Sequence, residues 1–275
     1  MSTSHELIFD STEANRPALY QFKEVWQYRH LVGNLISRDL KVRYKRSVLG
    51  FVWTMLNPLL TMTVLAIVFS TLFRFQIENY VSYVLIGLLL WNFFSQATSM
   101  GMSSIADNSM ILTKIYVPPS VFTLAGVGGA LVNLFFATGP LLIVGILTGL
   151  TPNWRWLFII VPVLQLGLVS TGLAYLLATL RVYFQDMVDI YSVVLNLYFY
   201  LSPIIYPLDM APDPLRFAQR LNPFYYPLNG ARQALMYQTL PSLTDVAIGT
   251  VYGVGLFVLG WSIFARMKRE FTYHL

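Results

Sequence analysis

Residues 49–73 carry no charged side chain, and Arg74 is the first to end the run. At 1.5 Å per residue a helix of that length crosses the roughly 30 Å hydrocarbon core of a bilayer. Immediately before it stand Arg38, Lys41, Arg43, Lys45 and Arg46. A basic collar that leads straight into an apolar span fixes one side of the membrane as cytoplasmic, because Lys and Arg stay on that side. Trp53 sits at the entrance, where the amphipathic indole is favoured. Apolar residues at helical spacing between Tyr20 and Arg46, among them Trp26, Leu31, Val32, Leu35 and Ile36, predict an amphipathic helix in the cytoplasmic interface. That collar serves as a simple anchor, or as an anchor that also touches a partner.

Five further apolar runs follow, at about 80–99, 120–149, 156–180, 190–206 and 246–265. The predicted fold is an all-α polytopic membrane protein. It has a cytoplasmic N-terminal segment (1–48), a six-span domain (49–265) and a cytoplasmic tail (266–275). Pro58 is expected to kink the first span, and the third is expected to tilt or break near Gly139-Pro140. Six crossings leave Arg74, Arg155, Arg216, Arg220 and Arg232 outside and the other thirteen of the 18 Lys and Arg inside. Five crossings would expose the basic tail, which the positive-inside bias disfavours. Charged residues make up 11% of the chain, against about 25% in soluble domains. The net charge of +5 lies beside predicted spans, so it marks membrane orientation and not nucleic-acid binding. Small residues within spans, such as Gly126, Gly129, Gly249 and Gly253, allow close helix approach, more readily within one subunit than across a dimer.

Catalysis has few candidate residues. There is no cysteine, and His5, His30 and His274 lie far apart, outside the spans, without metal-ligand spacing. All 13 carboxylates fall outside the predicted spans, which argues against an ion-coupled carrier. A glycosyl- or acyltransferase would need Asp186, Asp189, Asp209 or Asp213, none of which has a histidine partner or a motif. No Gly-rich Lys-Ser/Thr loop exists to hold a triphosphate, so any ATP and Mg are bound by another chain.

Two regions depart from plain span-and-loop patterning. The cytoplasmic loop 102–119 presents Ile105, Met110, Ile111, Leu112 and Ile115 where water would be, and Ser104 or Asp107 is placed to cap a short helix there. The outer stretch 206–243 is punctuated by six prolines and predicts two short helices, 214–221 and 227–237. Tyr198, Phe199, Tyr200, Tyr225 and Tyr226 gather near it, either as an aromatic belt or as stacking faces for sugar rings.

The blocks ISRDLKVRYKRSVLGFVWTMLNPLL, NSMILTKIYVPPSVF, RVYFQDMVDI, SPIIYP and LNPFYYPLNGARQALM, in that order, resemble the membrane subunit of bacterial ABC exporters for polysaccharides. These are the O-antigen, capsule and teichoic-acid exporters. The resemblance implies a homodimer in the bacterial cytoplasmic membrane, both termini inside, with two copies of a separate nucleotide-binding ATPase below. It implies that Asp107, Met110, Ile111, Leu112, Lys114 and Tyr116 couple to that ATPase. It implies a lipid-linked glycan as cargo, drawn through a channel lined by Tyr198, Phe199, Tyr200, Tyr225 and Tyr226. A drug or lipid efflux permease of the same general fold is the alternative.

Overall fold

The computed structural model describes residues 26–45, seven positions between 52 and 64, 79–115, 117–208, 211–268 and 271, with backbone alone at 43 and 44. Most of the first predicted span, including the expected kink at Pro58, the side chain of Arg43, and Arg46, Tyr116 and Asp209 lie outside the described residues. Every regular element among the described residues is a helix. The order is α1 (Arg29–Tyr44), α2 (Tyr80–Asp107), α3 (Ser109–Leu112) and α4 (Ser120–Leu147). A 3-10 turn (Trp154–Ile159) then runs into α5 (Ile160–Tyr183). α6 (Met187–Leu201), α7 (Asp213–Arg220), α8 (Tyr225–Leu235) and α9 (Leu243–Met267) complete it.

Four of these are long and apolar enough to cross a membrane: Tyr80–Asp107, Ser120–Leu147, Trp154–Tyr183 and Leu243–Met267. α2 is apolar all round and is buried on nearly every side, the pattern of a central helix. Its Val84, Ile86, Leu90, Phe93 and Ala97 pack with Leu166 and Val169 of α5, Ala130 and Leu134 of α4, and Leu228 and Ala231 of α8. α4 and α9 instead leave broad apolar faces open, including Phe135, Ile143, Val251 and Val258, as lipid-facing helices do.

Small residues set how closely the helices approach. α5 crosses α9 where Gly172 meets Gly260, and a Cβ on Gly260 would fall 2.0 Å from the Gly172 carbonyl oxygen. Gly126 of α4 likewise lies against the Met100 backbone of α2, and Gly249 and Gly253 lie against Gln165 of α5. Three of the small residues singled out in the sequence therefore pack within one chain. Polar side chains tie the same helices together: Tyr191 donates to Thr98 at 2.6 Å, Asn133 to Gln96 at 2.8 Å, and Gln165 to the Val246 carbonyl at 2.9 Å.

Two expectations are corrected. α4 runs unbroken through Gly139-Pro140, since the proline's missing donor is tolerated where neighbouring helices hold the turn. The fifth run stops being helical at Leu201, not Tyr206, and 202–206 is irregular.

Candidate functional site

At the cytoplasmic end, α2 reaches Asp107 and the chain turns through α3 before Pro118 and Pro119 open α4. The cap of α3 is Asn108 and makes no side-chain cap bond, so neither Ser104 nor Asp107 plays that part. The Asn108 side chain faces elsewhere. Its amide donates to the Ser104 carbonyl at 2.8 Å, and its oxygen accepts from Arg38 at 2.9 Å. Arg38 also donates to its neighbour Asp39 at 2.9 Å. The basic helix and the turn are thus joined by a hydrogen bond.

Apolar packing joins them as well. Leu35 of α1 is buried with Val121, Phe122 and Ala125 of α4, and Ile111 and Leu112 of the turn pack on that cluster. Met110 and Ile115 point the other way, 76% and 61% exposed, beside exposed Asp107 and Lys114. Among the five described coupling candidates the structure therefore separates two faces. Ile111 and Leu112 are turned inward onto α1, while Asp107, Met110 and Lys114 face out. Lys41 and Lys45 lie on one open face of the basic helix with Asn34, Ser37, Arg38 and Val42.

At the outer end, the five channel candidates do not share one environment. Tyr198 is packed among Trp91, Phe94 and Phe224, at 5.8, 5.6 and 6.4 Å between ring centroids, and its hydroxyl donates to Asn222. Phe199 meets Trp91 at 5.3 Å. Tyr200, two positions from Tyr198 and rotated by about 200° on the helix, is 73% exposed. Tyr226 is buried, stacks on Tyr252 at 5.9 Å and donates to the Arg220 carbonyl at 2.9 Å. Tyr225 is half-buried and sits edge-on to Tyr226 at 5.3 Å. Tyr200 is the one exposed ring of the five; Tyr198, Phe199 and Tyr225 are half-buried and Tyr226 is buried.

The environment of Tyr198 sets an expected result. Tyr198 is half-buried, so Tyr198→Ala should cost less than the roughly 3–5 kcal/mol of a fully buried aromatic, yet enough to lower the amount of folded protein. Tyr198→Phe loses a hydrogen bond, about 1 kcal/mol, and Tyr200→Ala should leave abundance unchanged. Membrane abundance and thermal melting of the three variants check this; equal loss in all three would contradict it.

Sequence reasoning missed Arg232, which it counted only as an outer charge. The residue is 4% exposed on α8 and lies over the Tyr83 ring, 3.4 Å from its centroid. The available signal was a single cation between small and apolar neighbours, Gly230-Ala231 and Ala234-Leu235.

Residues 30–236 match the family described as ABC-2 type transporter. The chain is 35% identical over 254 residues to the O-antigen export system permease protein RfbA of Myxococcus xanthus, across 91% of this chain and 97% of the relative. It is 32% identical over 241 residues to the protein of the same name from Klebsiella pneumoniae, across 86% and 92%. The capsule polysaccharide export inner-membrane protein CtrC of Neisseria meningitidis is 20% identical over 247 residues, across 88% and 92%.

Proposed function

The chain belongs to the ABC-2 type transporter family, and we propose that it is the permease subunit of an ATP-driven exporter for lipid-linked polysaccharide. It is a multi-pass inner-membrane transport subunit, not an enzyme, and it works with a separate ATPase subunit. The observation that carries the polysaccharide reading is similarity to O-antigen export permeases over nearly the full length of both chains. Similarity of that extent takes in both the cytoplasmic turn and the outer hairpin.

The finer reading has six spans, both termini in the cytoplasm, and two copies of the chain with two ATPase subunits. It retains a cytoplasmic segment (1–48), a spanning domain (49–265) and a tail (266–275). Four described spans support the count, and α6 with the run 49–73 supplies the other two. Charge supports the orientation: α1, Lys114, Arg181 and Arg266 gather at one end, and Arg155, Arg216 and Arg220 at the other. The outward pair Met110 and Ile115 supports an ATPase contact at the turn, since exposed apolar side chains on the aqueous side favour a covering surface. The exposed basic face of α1 borders that contact and, with Lys41 and Lys45, meets anionic headgroups.

Deleting the gene should leave lipid-linked glycan accumulating on the cytoplasmic side and absent from the surface, and restoring the gene should reverse both. An unchanged surface glycan in the deletion would refute the reading. The purified chain should hydrolyse no ATP by itself, because nothing in it cradles a triphosphate. Turnover well above background in preparations free of a second subunit would count against it.

A further inference from the structure

α6 is 15 residues long, about 22 Å at 1.5 Å per residue and short of a roughly 30 Å core. The chain covers the remaining distance through the irregular stretch 202–206. Backbone of that kind persists at membrane depth only where protein satisfies its polar groups. Here side chains do so carbonyl by carbonyl. Arg232 donates from Nη1 to Pro203 and from Nη2 to Ile204, both at 2.8 Å. The Tyr80 hydroxyl donates to Ile205 at 2.8 Å, and the Tyr83 hydroxyl to Tyr206 at 3.0 Å. Arg232 Nη1 also donates to the Tyr83 hydroxyl at 2.8 Å, and the Tyr83 ring stacks on Tyr80 at 6.2 Å between centroids, so the three side chains form one unit.

The surroundings are shaped for this guanidinium. α2 has glycine where it enters: a Cβ on Gly87 would lie 2.9 Å from Arg232 Nη2 and 3.0 Å from the Ile204 carbonyl oxygen. Among the described residues no carboxylate pairs with Arg232. Its partners are neutral carbonyls and a ring face, which a planar fork of donors can serve together and a lysine ammonium cannot.

We propose that Arg232 is a positioning residue for export: with Tyr83 and Tyr80 it holds 203–206 in the non-helical path that sets the outer end of α6. The role rests on the exporter reading. Arg232 itself is enclosed and does not touch cargo. It acts through the segment it grips.

The test uses the full chain with its ATPase subunit in cells deleted for the native gene. Arg232→Met and Arg232→Lys should lower surface glycan at least tenfold at matched membrane abundance, with ATP hydrolysis by the complex retained. Near-normal export by Arg232→Met overturns the proposal. If Arg232→Met does not accumulate, Tyr83→Phe decides in its place: several-fold lower export at normal abundance supports the clamp, and normal export overturns it. Hydrogen exchange over 202–208 reads the clamp without cargo and should be faster in Arg232→Met, or in Tyr83→Phe if that variant stands in. Faster exchange in a protein whose wild type moves no glycan would mean that the exporter reading failed and the clamp did not. Unchanged exchange overturns the clamp itself.

Discussion

Gly172→Leu and Gly260→Leu should each remove most of the folded protein from the membrane. The clash is with backbone, not with side chains that can rotate away. A Cβ on Gly172 would lie 2.4 Å from the Leu256 carbonyl oxygen, and one on Gly260 would lie 2.0 Å from that of Gly172. The helices must separate to admit either, and separation opens the packing of Tyr175 against Trp261 and Phe264, now 5.1 and 4.8 Å apart between centroids. Overpacking typically costs about 1–3 kcal/mol when side chains can adjust. A rigid crossing should exceed that, against a total stability of about 5–15 kcal/mol. Gly167 and Gly255 lie in the same two helices, and a Cβ on either meets nothing within 4 Å. Alanine there should be neutral or stabilise by about 0.4–1 kcal/mol. Abundance and melting temperature in detergent separate the two pairs. If the Gly260→Leu protein melts like the Gly167→Ala protein, the crossing is not as close as described.

The second large effect concerns the cytoplasmic turn and splits by face. Met110→Asp with Ile115→Asp should abolish surface glycan and copurification of the ATPase while leaving membrane abundance intact. Both side chains stand in the open, so the free chain loses little when they become charged. An apolar contact with a partner would gain two unpaired carboxylates, at a cost of several kcal/mol. Ile111→Asp with Leu112→Asp should act differently, because both pack against the cluster under α1. Charge there should loosen α1 and lower abundance. Copurification, surface glycan and abundance, measured on both double variants, distinguish the faces. A Met110→Asp/Ile115→Asp protein that assembles and exports normally would place the ATPase elsewhere.

Much of this was legible because membrane spans announce themselves locally. The run predicted at 120–149 is observed as Ser120–Leu147, and it ends where Gly149 takes a φ of +103° that other residues avoid. The two outer helices were predicted within two residues from their prolines alone. What failed was long-range. Pro203 was a local sign that the helix stops at Leu201, overridden in the reading by the apolar run that continues through Ile204-Ile205. The groups that take over the freed carbonyls lie on α2 and α8. Arg232 and Tyr83 are 149 positions apart, so neither reveals the other by spacing. For the same reason Gly172 and Gly260, each unremarkable in its own helix, could not be paired. The tyrosines show the boundary plainly. Helical rotation dictates that Tyr198 and Tyr200 part company, but which of them turns inward is decided by Trp91 and Phe224, far away in sequence.

The clamp also has a history within each new chain. Residues 203–206 leave the ribosome after Tyr80 and Tyr83 but before Arg232. When α6 first meets the bilayer, α2 is there to bond Ile205 and Tyr206, while Pro203 and Ile204 still lack the donors that complete them. If the helices settle in the order in which they are made, the outer end of α6 stays open to water until α8 folds back over it.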